Sequence, residues 1–390
     1  MSLRILPALV LALFLLVCGT SAALASNYVG LILKTTSDRA PIRVENNVNA
    51  HRFTHLRKDI SLHATGIYGD FYKVNLGNGT DYFIEKQYVQ ELGLLSPKKY
   101  TIKSYKIKEH KDFYTLSLKF NEVPIYQTFE SENGLNFNLF DISKSVKARK
   151  RDSLGGEIFR VGRVGSIVNF SFLPKQTLVG YGVEKDGNSL VLKIRKMPEI
   201  DAAAPLKGLK IVVDAGHGGF EPGACANGII EKTLNLQIAK KLAAELEAAG
   251  ATVYMTREKD DFVGLYERVD FARDKDALVL LSIHANSLAN PRDWKKKHGS
   301  SVFYYNKQSK PLADALQKGL LGATGFRDDG VNYASFALTR PTEMLSVLVE
   351  TGYVIHPYEA KMLKDSEFQD KIAKGLTVAL EGYFKNLNNN

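Results

Sequence analysis

At Leu206 the hydrophobic period of this sequence changes. Beyond it, short apolar runs that read as buried strands alternate with stretches carrying apolar residues at helical spacing. KIVVD (210–214), ATVYMT (251–256), ALVLLSI (277–283), SSVFYYN (300–306) and LSVLVET (345–351) are the expected strands. Helices are expected at Thr233–Ala249, which ends at Gly250, and at Gly264–Lys275, Pro311–Leu321, Glu359–Lys364 and Phe368–Phe384. This alternation predicts an α/β domain over 207–388, a largely parallel twisted sheet flanked by helices. Ligands of such sheets gather beyond the carboxyl ends of the strands.

Four residues stand where apolar runs give way to glycine or polar turns: His217 in DAGHGG, Glu231 in NGIIEK, His284 in SIHAN and Glu350 in LVETG. Taken singly, each has a plain structural reading. Glu231 precedes the Thr233 helix, where the macrodipole favours a carboxylate, and a histidine closing a strand is commonly structural. Taken together, two histidines and a carboxylate make a common Zn2+ ligand set that leaves room for water, and a further carboxylate could act on that water. Convergence of the four would make a zinc hydrolase. Residue chemistry does not say which glutamate is the ligand. The GHGG turn lacks the Walker lysine and the GxGxxG spacing, which argues against a nucleotide site. His51, His55, His63, His110, His298 and His356 read as surface or structural residues.

The N-terminus carries Arg4, an apolar run from Ile5 to Val17 and Ala23-Leu24-Ala25, the pattern of an export signal cut after Ala25. The run is short for a membrane anchor, and no later stretch is apolar and long enough to span a bilayer. Cleavage would leave Cys225 as the one cysteine, so the domains must be held by packed cores rather than disulfides. The net charge of +10 is unevenly placed. Residues Ser26 to Leu206 hold 27 Lys+Arg against 19 Asp+Glu, whereas Lys207 onward holds 24 against 23. A basic β-rich half on an exported chain suits anionic wall polymers or lipid headgroups, and fits nucleic acid poorly.

That half reads as two small all-β domains, 26–96 and 100–197. IYGDFYKVNLGNGTDYFIEKQYV, with a hairpin turn at Gly77-Asn78-Gly79, resembles bacterial SH3-like domains. Phe71 stands at the usual Trp position and Tyr82-Phe83 near the usual Gly-Trp. That family often binds peptidoglycan; here Tyr68, Phe71, Tyr72, Tyr82 and Phe83 are expected to be core and pleat residues. After a break at Ser96–Lys99, alternating segments such as YTLSLKF, IVNFSFL and SLVLKIRK predict a sandwich. By position and pattern it resembles the AMIN-type domains that precede cell-wall amidases. Lys144–Arg151 reads as an exposed basic loop, and 198–206 as a linker.

Residues 209–385 closely resemble the zinc-dependent N-acetylmuramoyl-L-alanine amidases of the third type. The resemblance is carried by DAGHGG, Pro222-Gly223-Ala224, Gly228–Lys232, Leu234-Asn235-Leu236, Thr256-Arg257, Leu265, Arg268, Ser282–Asn286 and Leu348–Tyr353. It implies that His217, Glu231 and His284 bind Zn2+ and that Glu350 is the catalytic base. It implies peptidoglycan as substrate, cut between N-acetylmuramic acid and L-alanine. A zinc peptidase or deacetylase acting on the same polymer is the alternative. Asn286 is a candidate substrate contact. Glu221 replaces the family's usual Asp, and Cys225 is expected to be a small buried residue rather than a substitute ligand. Some relatives carry a long helix that plugs the zinc site. The segments after His284 leave no room for one, so self-inhibition by that device is not expected, and a protein activator is left open.

Overall fold

The computed structural model describes residues 31–387 apart from 38, 77–79, 95–99, 133, 145–150, 155 and 289–294. The expected signal (1–25), the Gly77–Gly79 turn, most of the basic stretch 144–151 and the whole break at Ser96–Lys99 lie outside the described residues. The chain divides into two compact units, Met1–Pro97 and Lys98–Asn390.

In the first unit, seven strands form one sheet whose pairs all run antiparallel. Its spatial order is Arg52–Leu56, Ala40–Arg43, Asp81–Glu85, Phe71–Asn75, Ser61–Tyr68, Leu31–Thr35 and Val89–Leu94. Side chains alternate, so Leu62, Ala64, Val74 and Ile84 fill one face. Phe71, Tyr72 and Tyr82 are buried in this core, while Tyr68 and Phe83 meet edge to face in the half-exposed layer.

The second unit begins with two five-stranded sheets. Tyr114, on the strand Phe113–Phe120, touches Phe159 and Phe172 of the other sheet, and Tyr105 touches Phe170. These rings close a sandwich core. The sandwich interlocks with the α/β lobe that follows. The Tyr181 N–H donates to the Thr342 carbonyl at 2.7 Å, and the Glu130 carboxylate accepts from the Gln308 N–H and the Tyr181 hydroxyl. Residues 198–206 have neither helix nor strand, but they are packed: Ile200 and Leu206 are buried in the core of the lobe.

The lobe runs β1 (Lys210–Ala215), β2 (Cys225–Ala226), β3 (Ile229–Ile230), α1 (Glu231–Ala248), β4 (Thr252–Met255), α2 (Leu265–Asp274), β5 (Val279–Asn286), β6 (Ser300–Tyr304), α3 (Lys310–Thr324), β7 (Asp328–Tyr333), β8 (Leu345–Tyr353), α4 (Pro357–Leu363) and α5 (Ser366–Leu387). The main sheet has the order β4-β1-β5-β8-β6-β7. Every pair is parallel except β6 with β8. The central strands β1, β5 and β8 are buried on both faces, which is why they read as continuous apolar runs. One face packs on α1, α3 and α5 through Leu234, Ile238, Leu242, Leu316 and Leu376. The other meets α2 through Val212, Val269, Ala272 and Leu280. α3 and α5 approach closely at Gly319 and Gly375, where a Cβ on Gly319 would lie 2.5 Å from the Gly375 carbonyl oxygen.

Two sequence expectations are corrected, and one strand is added. Glu231 does not precede its helix; it is the first helical residue of α1. β7, reading DDGVNY, was not foreseen, because it lacks an apolar alternation. Cys225 is exposed, because it pairs with the exposed Ile230 in the short β2–β3 hairpin, whose face at that register points outward.

Candidate active site

β1 delivers the chain into the Gly216–Gly219 turn at the carboxyl end of the sheet. Gly216 is required by contact: a Cβ there would lie 2.2 Å from the His284 ring. His217 takes a left-handed backbone, φ 61°, a conformation that costs a non-glycine residue energy and is held here by the surroundings. The restraint comes from two buried arginines. Arg268 donates to the His217 carbonyl at 2.8 Å and to the Ala215 carbonyl at 2.7 Å. Arg257 donates to the Ala215 and Gly216 carbonyls at 2.8 and 3.0 Å, and to the Lys232 carbonyl at 2.7 Å. Asp214, wholly buried in β1, accepts from Arg268, Thr256 and Ser282 at 2.6–2.7 Å. Burial opposes its charge, but the Arg268 guanidinium and the two hydroxyls outweigh it and lower its pKa.

Within this frame three predicted residues converge. His217 Nε2 lies 3.2 Å and His284 Nδ1 3.0 Å from the same atom, Glu231 Oε1. The two rings stand 5.0 Å apart and nearly perpendicular, at 78°. Their ligating atoms all lie within 4.8 Å of one another, the spacing of a metal donor set. Glu231 is further fixed by the Ala224 N–H at 2.8 Å and the Asn235 amide at 3.2 Å. Gly223 leaves the space: a Cβ on it would sit 2.5 Å from Glu231 Oε2 and 2.7 Å from His217 Cδ2. Burial would raise the Glu231 pKa, but hydrogen bonds and charge from His217 and His284 hold it well below the carboxylate range. Burial likewise opposes the His284 imidazolium, yet the bond to Glu231 and the nearby carboxylates raise its pKa.

Glu350 pairs with His284 across β5 and β8. Burial pushes its carboxyl up to about 7, partly offset by His284. Its Oε2 is buried and has no hydrogen-bond partner among the described residues. A buried acceptor left unmatched costs about 1–3 kcal/mol, a cost that a water or ligand at this position would relieve. The donor set and this orphaned oxygen together fit a Zn2+ ion with a water beside it. Asn286 lies two residues beyond His284, at the end of β5, where its Oδ1 accepts the Ser287 N–H at 2.8 Å.

The sequence reading assigned no role to Arg257, Arg268, Asp214 or Asn235. The available signal was Asp214, a charge inside an apolar strand, which demands a buried cation. A second group, His298, His356 and Glu359, also gathers within 4.8 Å.

The family model described as N-acetylmuramoyl-L-alanine amidase matches residues 211–382. The amidase LytC of Bacillus subtilis is 37% identical over 185 residues, which cover 46% of this chain and 36% of LytC. The chain thus spans about a third of that relative's length. YqiI of Bacillus subtilis, an uncharacterized protein, is 32% identical over 193 residues, covering 50% of this chain and 93% of YqiI. Among solved structures, the catalytic domain of the amidase CwlV from Bacillus (Paenibacillus) polymyxa var. colistinus is 35% identical. It covers 45% of this chain and 97% of that one, with a TM-score of 0.43.

Proposed function

This chain belongs to the N-acetylmuramoyl-L-alanine amidase family, and from that premise we propose that it hydrolyses the amide joining N-acetylmuramic acid to L-alanine in peptidoglycan. The observation that carries the reading is the convergence of His217 and His284 on one oxygen of Glu231, beside the unmatched Oε2 of Glu350. In this reading His217, Glu231 and His284 hold Zn2+. When bound, the ion supplies Lewis acidity, polarising a carbonyl and making a neighbouring water more acidic. Glu350 Oε2 takes a proton from the attacking water. The oxygen adds to the lactyl carbonyl carbon, the C–N bond breaks, and Glu350 returns the proton to the departing alanine nitrogen. A carboxyl pushed up to about 7 by burial is suited to both duties near neutral pH. The buried arginines keep the His217 backbone in its unusual conformation, and Asn235 steadies the Glu231 carboxylate. Asn286, at the open end of β5, is the proposed substrate contact.

The wider reading places the enzyme outside the cytoplasm, exported by the segment ending at Ala25 and acting at the cell wall. The β-rich half, with its excess of Lys and Arg, is proposed to hold the enzyme on the anionic wall, its first unit as an SH3-like module. Mass analysis of products from purified sacculi tests the reaction. Free stem peptides beginning with L-alanine, alongside intact glycan strands, are expected. Internally clipped peptides would point to a peptidase and loss of acetyl groups to a deacetylase, and either would replace the amidase reading.

A further inference from the structure

The reaction as derived leaves unexplained the residue three places after His217. Phe220 is 76% exposed, although its backbone is firmly tied. Gly218 and Glu221 exchange N–H to carbonyl bonds at 3.0 and 3.1 Å, closing a turn with Gly219 and Phe220 at its tip. The Gly219 N–H donates to Asp260 Oδ1 at 2.9 Å, and the Gly219 carbonyl accepts from Lys232 Nζ at 2.8 Å. Lys232 and Asp260 pair with each other at 2.5 Å. The turn lies directly on segment 260–262: a Cβ on Gly218 would stand 2.1 Å from the Asp261 carbonyl oxygen, and one on Gly219 2.7 Å from the Phe262 nitrogen. On this pinned backbone the Phe220 ring stacks on Phe262, centroids 4.2 Å apart and planes 26° apart. Phe262 is itself 41% exposed, and Leu265 and Tyr266 at the start of α2 are exposed as well.

A polar residue would serve the turn as well as phenylalanine does. Burying a Phe side chain is worth roughly 1.5–3 kcal/mol, most of which the fold forgoes here. Stacking on Phe262 satisfies one face of the ring and leaves the other to a ligand. Three residues reach at most about 11 Å, so the platform adjoins the donor set.

We propose that Phe220 and Phe262 form a stacking platform for a pyranose ring of the glycan strand flanking the scissile amide. This rests on the amidase reading and names part of its specificity. A pyranose offers an aromatic ring a flat face of C–H groups edged with hydroxyls. The platform offers the complement, apolar ring faces bordered by the charged side chains of Lys259, Asp260 and Asp261. A stem peptide, with amide groups along its length, has no such face. The rigid turn fixes the rings before binding, so little ordering cost is left.

The test compares one stem peptide carried on a single N-acetylmuramic acid with the same peptide carried on a glycan oligomer. Phe220→Ala is expected to raise KM about tenfold on the oligomer. It should leave kcat, zinc content and the KM for the single-sugar substrate unchanged, and Phe220→Trp should restore the oligomer KM. An unchanged oligomer KM, or an equal rise on both substrates, would overturn the platform. Binding of peptide-free glycan strands needs no turnover and separates the two proposals. If wild type releases no stem peptide but Phe220→Ala still weakens that binding, the amidase reading fails and the platform stands. If stem peptide is released but the variant binds the strands as wild type does, the platform fails alone.

Discussion

His217, Glu231 and His284 form one cluster of two imidazoles and a glutamate; His298, His356 and Glu359 form another in the same lobe. Their composition is identical, and their geometry is not. In the first, both imidazole nitrogens address one carboxylate oxygen, the rings stand at 78°, and an unmatched oxygen of Glu350 waits beside them. In the second, the rings are stacked, 4.5 Å apart and inclined by 22°, so their planes do not cross close to the rings. There His298 Nδ1 meets Glu359 Oε1 at 2.9 Å. His356 Nδ1 instead accepts the Glu359 N–H at 3.3 Å, capping α4, and the other Glu359 oxygen accepts the Tyr353 N–H at 2.7 Å. The proposed metal site is thus set apart by convergence on one oxygen with an unmatched acceptor nearby. The second cluster instead ties His356 Nδ1 and one Glu359 oxygen to backbone N–H groups.

The largest expected difference is in turnover. His284→Ala should reduce stem-peptide release from sacculi to background, while His356→Ala leaves it near wild type; equal loss in both would erase the distinction. Glu350→Gln should lower kcat by about 10²–10⁴-fold with zinc retained, because it removes the base and no ligand. Full turnover in that variant would remove Glu350 from the chemistry. Arg268→Lys keeps the charge beside Asp214 but loses the fork that grips the Ala215 and His217 carbonyls. Its zinc affinity, measured by competition with a chelator, should fall about 10–100-fold.

Much of the fold is legible in the sequence, for reasons visible in particular residues. β1, β5 and β8 are buried on both faces, so their apolar runs and the polar residues that end them mark the strand ends where the candidate site lies. Leu242 and Leu246 gave α1 its period, but nothing in NGIIEK shows that the helix begins at Glu231 rather than after it. β7 escaped because Asp328, Asp329 and Gly330 break any alternation, and its pairing with β6 is a tertiary fact. The second histidine cluster escaped for the same reason. His298 and Glu359 are far apart in sequence, and neither stands at the end of an apolar strand.

Smaller effects probe the structural cluster. Glu359→Gln should cost about 1–3 kcal/mol of stability, read from denaturant unfolding, with no change in zinc content. The smallest effect is on pH dependence. Burial lowers the His356 pKa, with the neighbouring His298 adding to it against the opposing Glu359 charge. As pH falls below the ordinary histidine value, the unfolded chain takes up a proton that folded His356 refuses. Its contribution is therefore complete above that value, and it declines as pH drops toward the depressed one. His356→Asn, which preserves a capping side chain, should flatten this part of the stability profile. An unchanged slope would place the titration elsewhere.

Zinc per chain decides which of the two clusters holds the metal. Purified wild type and His356→Ala should each bind one equivalent in the presence of a weak chelator, and His284→Ala none. Stoichiometric zinc in His284→Ala, or an equivalent lost only with His356→Ala, would contradict the assignment of the metal to His217, Glu231 and His284.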